Sequence, residues 1–286
     1  MNRGIAMSGP WAARRARATA LSGVTPHASE ILECYAEVLS LQSWISERIP
    51  VEGWQGAASV DRGAERPGTG PRLRLARLPL DEVVPLFDEL LARATDVGTS
   101  AMRQEAAHLQ RAPASERAGS VAHALTADRS VSSTEQSFHA HLYAEVVATR
   151  LSAGIVPARV SAEDPSARVC PVCGDTPIAA VLRDDDDALG ARFLTCGRCA
   201  TEWRADRLSC AGCGEISAEA LTSHAAASVP HVRLQACASC NQYLKVVDLR
   251  INASAVPAVD DVATVELDLW ASDRGLRKLR TNLFGL

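Results

Sequence analysis

The stretches CPVCGDTP (170–177), TCGRCATEWRADRLSCAGC (195–213) and ACASCNQYLKVVDL (236–249) hold eight of the nine cysteines of this chain, every one of them in a C-x-x-C pair. The pairs begin at Cys170, Cys196, Cys210 and Cys237; the first and third start 40 residues apart, the second and fourth 41. This is one unit written twice, and a repeat of fixed period implies that each copy closes on itself. The pairing that respects the repeat is sequential: Cys170, Cys173, Cys196 and Cys199 form site one, and Cys210, Cys213, Cys237 and Cys240 form site two. A C-x-x-C turn brings two sulfurs to one side, and two such turns complete a tetrahedral shell with no open position, which is the structural rather than the catalytic kind of site. Thiolate donors suit Zn²⁺ or iron, and the spacing does not separate them. Gly174 and Gly214 each follow a pair and can supply positive φ there. Binding of this kind is folding energy, on the order of 10–16 kcal/mol in zinc-finger peptides, so the 169–250 region is expected to fold only with its ions. Redox C-x-x-C pairs call for a βαβ setting that the sequence does not show, and a disulfide framework calls for an oxidising compartment.

The chain has 286 residues, enough for about two domains, with 47% apolar and only 4% aromatic residues. Lys245 and Lys278 are its only lysines, and its net charge is −4. An acidic balance argues against a nucleic-acid binder, and no apolar run reaches the ~18 residues a membrane helix needs. Arg14 and Arg15 form a twin arginine with no apolar stretch behind it, so no export signal is expected; residues 1–28 read as a poorly ordered start.

The N-terminal half, 29–154, reads as an all-α domain. After Ser29, a candidate N-cap, Ile31, Leu32, Tyr35, Val38, Leu39, Ile45 and Ile49 recur at helical spacing until Pro50. Residues 53–72 are rich in Gly, Pro and Arg and read as a loop. A second helix starts near Asp81, with Val84, Phe87, Leu90, Leu91 and Ala94 on one face, Pro85 in its first turns and Gly98 at its end. Shorter helices fill 100–127. Ser132 and Glu135 form a capping box before a helix bearing Phe138, Leu142, Val146, Val147 and Leu151 and closed by Gly154. A linker (155–168) leads to metal module one (169–207) and module two (208–252). A C-terminal helix and tail (253–286) follow, the helix spanning 258–271 with Val262, Val265 and Leu269 as its buried stripe.

Other residues carry less. Cys34, in line with Ile31 and Val38, reads as a small buried hydrophobe. Asp184, Asp185, Asp186 and Asp187 read as a solvated loop tip, and a loop held by a rigid turn is also a place for partner contact. His224 and His231 are surplus to two complete thiolate shells, and His139 and His141 cannot share a helix face. Trp203 and Tyr243 read as packing over the metal sites, and Glu202 as a surface contact. No nucleophilic triad, paired-acid set or phosphate-binding glycine loop is present.

The three quoted stretches, with Thr201, Glu202 and Trp203 after the second pair, Tyr243, Leu244 and Lys245 after the fourth, and the tail VDDVATVELDLWASDRG (259–275) and TNLFGL (281–286), resemble the formate dehydrogenase accessory proteins, the FdhE family. The resemblance covers about residues 169–286. It implies a multidomain α plus small β fold, in which a helical N-terminal domain precedes two tandem rubredoxin-like (zinc-ribbon-like) four-cysteine metal modules and a C-terminal helix. It implies a cytoplasmic, non-enzymatic protein that binds the catalytic subunit of a respiratory formate dehydrogenase, itself a carrier of a molybdopterin-type cofactor and an iron–sulfur cluster, and is needed for that subunit's activity. It also implies two metal ions per chain, iron ahead of zinc. Two further functions are weighed against this one: a rubredoxin-like electron carrier, which zinc would exclude, and a nucleic-acid-binding zinc ribbon, which the acidic charge disfavours.

Overall fold

A computed structural model describes residues 10–59, 72–126, 137–153, 159–160 and 167–286. Among these residues seven α-helices precede the first strand: α1 (Pro10–Ser22), α2 (Ser29–Ser46), α3 (Val51–Ala58), α4 (Leu80–Ala94), α5 (Ser100–Arg111), α6 (Ala114–Thr126) and α7 (Phe138–Ala153). The apolar spacing read in α2 and α4 is their buried face: Leu32, Tyr35, Val38, Leu39 and Ile45 in one, Phe87, Leu90, Leu91 and Ala94 in the other. Pro85 is the sixth residue of α4, so its missing N–H takes one backbone hydrogen bond from the helix. Helix α7 is buried on every side, the signature of a central helix. Ser137 caps it, accepting from Ala140 N at 3.1 Å while its Oγ donates to Glu105 at 2.6 Å. The expected Ser132–Glu135 capping box and Gly154 lie outside the described residues.

Three expectations for this half need correction. Within the expected poorly ordered start, α1 packs on α2, buries Trp11 and Ala18, and directs Arg17 onto both carboxylate oxygens of Asp260, at 3.1 and 2.6 Å. Its partners lie across the fold, so no local pattern announces it. The expected loop at 53–72 begins inside α3, where burial of Trp54, whose Nε1 donates to Glu82 at 2.9 Å, overrides Gly53 and Gly56. Ser29, expected as a cap, is instead the first helical residue of α2.

The duplicated half forms one mixed sheet. Module one supplies β2 (Pro177–Arg183), β3 (Ala191–Cys196) and β4 (Glu202–Ala205); module two supplies β5 (Leu221–Ala225), β6 (Val232–Cys237) and β7 (Gln242–Asp248). With the short β1 (Arg159–Val160) at one end, the order is β1-β4-β3-β2-β7-β6-β5. Within each module neighbours are antiparallel, and the modules join through a parallel β2–β7 pair, with Ala179 opposite Lys245 and Leu182 opposite Asp248. The two copies therefore lie side by side in the same strand order, third strand to first. Strand β1 adds to β4 in the same parallel sense that β7 adds to β2. β8 (Arg277–Lys278) pairs with the start of β7.

The expected single C-terminal helix is two, α8 (Pro257–Ala263) and α9 (Val265–Ser272), broken at Thr264 with φ −111° and ψ 41°. The break has a visible cause. Lys245 Nζ donates to the carbonyls of Asp261 (2.7 Å) and Thr264 (3.0 Å) at the end of α8, a cation satisfying the last carbonyls of a helix. The phase shift buries Val262, Leu267 and Ala271, whereas Leu269, assigned to the buried stripe, is 63% exposed.

One hydrophobic core runs from Trp11 through Leu151 into Val172, Leu194 and Leu244 and on to Leu283, so the helical half and the sheet share their interior. No helix among the described residues is long and apolar enough to cross a membrane.

Candidate metal centres

Three of the four C-x-x-C pairs close with the same hydrogen bond. Gly174 N donates to Cys170 O, Gly214 N to Cys210 O and Asn241 N to Cys237 O at 2.8–2.9 Å. The residue after each pair has positive φ: Gly174 (79°), Ala200 (58°), Gly214 (83°) and Asn241 (55°). Glycine and asparagine tolerate this conformation; Ala200 takes it against preference, and only the repeat could have pointed to it. The turns also aim amides at sulfur. Val172 N lies 3.4 Å from Cys170 Sγ, Arg198 N and Cys199 N each 3.4 Å from Cys196 Sγ, and Gly212 N 3.3 Å from Cys210 Sγ.

The structure brings together the two predicted sets of four. In each set all sulfurs lie within 4.8 Å of one another. The close pairs are Cys170–Cys199 at 3.6 Å and Cys173–Cys196 at 3.5 Å in site one, and Cys210–Cys240 and Cys213–Cys237 at 3.7 Å in site two. A tetrahedron with metal–sulfur bonds of about 2.3 Å has edges of about 3.8 Å. Both clusters can therefore coordinate a metal ion, and the amides aimed at sulfur suit thiolate charge.

Thiol chemistry points the same way. In site one, burial raises Cys196, but hydrogen bonds from Cys170, Cys173 and Cys199 prevail and hold it well below the ordinary thiol value. Cys170 is pushed well up by burial, and Cys173 by its hydrogen bonds with the neighbouring thiols. In site two, burial opposes but amide and thiol hydrogen bonds lower Cys237, while burial and then the crowding thiols push Cys240 up to about 12. A cation entering either cluster must therefore displace protons from the thiols held above the ordinary value.

The two sites differ in setting. Site one is wedged under the helices: Ser152 Oγ at the end of α7 donates to Cys199 O at 3.2 Å, and Leu73 N donates to Val172 O at 2.8 Å. Asp175, just after its first turn, accepts from both Arg198 and Arg280, and Arg198 also donates to Leu125 O at 2.7 Å. Site two faces outward, with Cys213 exposed and Cys240 half-buried.

The remaining candidates are not brought to either centre. His231 pairs with Asp260 at 2.8 Å, and His224 lies against Trp270. His139 and His141 are buried in the helical half, His139 facing Glu105 at 3.5 Å. Cys34 is half-buried with Sγ 3.7 Å from Met102 Sδ, and burial raises its thiol. The acidic run builds the β2–β3 turn: Asp185 accepts from Asp187 N and Ala188 N and pairs with Arg204 at 2.7 Å, and Asp184 accepts from Gly190 N. Glu202 forms a 2.6 Å ion pair with Arg183. Trp203 is buried and donates to Ala167 O at 2.9 Å.

Sequence reasoning passed over a second cluster. Lys245, fully buried, meets Asp268 at 2.6 Å and Asp261 at 3.5 Å, and Lys278 meets Asp261 at 2.6 Å and Asp268 at 3.3 Å. Tyr243 Oη donates to Asp268 at 2.8 Å, and Asn282 Nδ2 to Asp261 at 2.8 Å. The signal was available: the only two lysines of the chain both lie here. An ammonium on a flexible stem can reach carbonyls and carboxylates from different directions where a planar guanidinium cannot.

A helical domain joined to a sheet with two closed four-cysteine clusters defines a tandem metal-module protein with no open coordination position. More narrowly, both four-cysteine modules of the chain match the FdhE family. The family models "FdhE, central domain" and "FdhE, C-terminal domain" match residues 169–207 and 208–284. The FdhE homolog of Aquifex aeolicus is 28% identical over 263 residues, covering 91% of this chain and 90% of that protein. The FdhE homolog of Stutzerimonas stutzeri is 36% identical over 115 residues, covering 40% of this chain and 37% of that protein. The crystal structure of the FdhE protein from Pseudomonas aeruginosa superposes with a TM-score of 0.77 at 24% identity, covering 96% of this chain and 94% of that one; it shares the fold.

Proposed function

We propose that this protein is a cytoplasmic accessory factor that binds the catalytic subunit of a respiratory formate dehydrogenase and is needed for that subunit to become active. In this reading it holds two metal ions, one on Cys170, Cys173, Cys196 and Cys199 and one on Cys210, Cys213, Cys237 and Cys240. The observation that carries it is the pair of closed four-cysteine clusters, built into one sheet of a chain whose two modules match the FdhE family. Iron is the first choice of metal and zinc the second; the resemblance supports iron, and tetrathiolate donors accept both. The ions fix the turns of the sheet rather than activate water, because four thiolates leave no position for it. The acidic net charge supports a protein partner over a nucleic acid.

The test is co-purification with the catalytic subunit from cells that make both, alongside assay of the dehydrogenase in cells lacking this protein. The expected result is capture of the subunit and loss of formate oxidation; full activity in the deletion strain sinks the proposal. A second reading, electron transfer to the partner, is favoured by the exposure of Cys213 in site two, since surface access to a sulfur shortens the path to a docked acceptor. Protein purified without added metal separates the two: a red, reversibly bleached sample permits electron transfer, and a colourless zinc protein excludes it.

A further inference from the structure

On the sheet face where the modules meet, a cavity of about 400 Å³ lies beside β5 and the segment joining the two modules. Leu182 and Val246 contribute to its floor, Leu208, 71% exposed, lies at its rim, and Arg192, Arg207 and Arg233 line it. No lining residue is acidic, in a chain whose net charge is −4.

The charge of these arginines is poorly matched within the protein. Arg192 is 2% exposed, yet its partners are neutral: the carbonyls of Asp206 and Ser209, each at 2.8 Å, and Gln235 Oε1 at 3.0 Å. Its Nε has no hydrogen-bond partner. Arg207 is exposed and makes no ion pair among the described residues. Arg233 reaches Asp248 only at 4.0 Å, because Asp248 is held by Arg250 at 2.6 and 2.9 Å. A buried guanidinium with no carboxylate in hydrogen-bond contact is costly unless an anion arrives to meet it. Guanidinium forks match carboxylate geometry, and the leucine rim asks for apolar contact beside the charge. The volume exceeds that of a lone inorganic anion and falls in the range of ligand pockets, roughly 300–1,000 Å³.

We propose that this groove binds an acidic peptide segment, an extended stretch in which carboxylate side chains flank an apolar one, with Arg192, Arg207 and Arg233 taking the carboxylates and Leu182, Leu208 and Val246 the apolar side chain. The inference does not rest on the accessory role, since the purified metal-loaded chain alone displays it.

The test is fluorescence anisotropy of a fluorescein-labelled Glu-Leu-Glu-Leu-Glu peptide against the full metal-loaded chain. Expected is saturable binding that weakens about tenfold with Arg207→Glu or Arg233→Glu, a change typical of a lost charge contact, with metal content and circular dichroism unchanged. Replacing the leucines by asparagine should weaken it comparably. Absence of binding, or equal binding by the two variants and the parent, overturns the proposal. So does displacement by millimolar inorganic phosphate with no effect of the leucine replacement, which assigns the groove to free oxyanions.

Discussion

The Arg280 guanidinium lies against Gly197, the second residue of the Cys196–Cys199 turn, and leaves no room there for a Cβ. The same guanidinium reaches Asp175, which also holds Arg198. A residue near the end of the chain is thereby clamped onto both turns of site one, and the glycine at 197 is a packing requirement rather than a conformational one.

Gly197→Ala should therefore destabilise the protein by about 1–3 kcal/mol, the usual range for forced overpacking, and should weaken metal retention at site one. Gly212→Ala, in the Cys210–Cys213 turn of site two, meets the movable end of Gln242 and Leu279 Cδ1 at 3.3 Å, and should cost less. Denaturant titration of both variants with metal analysis checks the order.

The buried lysine cluster predicts both a mutational and a pH effect. Lys245→Met removes one of two cations facing Asp261 and Asp268, and breaking a buried pair costs about 3–5 kcal/mol. Burial pushes Asp261 up, but Lys278 and then Lys245 prevail and hold its carboxyl below the ordinary value. A depressed carboxyl contributes stability that is complete above the unfolded pKa, near 4, and lost as pH falls through the folded value. Acid unfolding should thus begin at higher pH in Lys245→Met than in the parent, as read by tryptophan fluorescence.

Metal loss should follow exposure. With Cys213 exposed and site one packed under α7, a chelator is expected to strip site two first while helicity is retained. Cys213→Ser should lower the metal content by one ion per chain and leave the helices intact, whereas Cys170→Ser should also loosen the helical half, since Val172 and Leu73 join the two. Metal analysis and circular dichroism on the same samples decide.

Gly119 sits inside α6, and a Cβ there meets nothing within 4 Å. Gly119→Ala should raise stability by about 0.5–1 kcal/mol through helix propensity and reduced unfolded-state freedom, with no change in metal content. Thermal melts of holo protein test this.

The sequence by itself determined the eight cysteines, their division into two sets and the helical periodicity of α2 and α4. Each of these is short-range or strictly periodic: a C-x-x-C turn is local, and the repeat of about 40 residues specifies its own partners. Only the tertiary structure decided the rest. The order of α1 depends on Asp260, the burial of α3 on Glu82, and the break between α8 and α9 on a lysine arriving from β7. The joining of the two modules through β2 and β7, and the enclosure of one site but not the other, likewise come from residues far apart in the chain. Such contacts leave no periodic trace, because the groups that stabilise them belong to different elements and meet only when the sheet and helices have closed on one another.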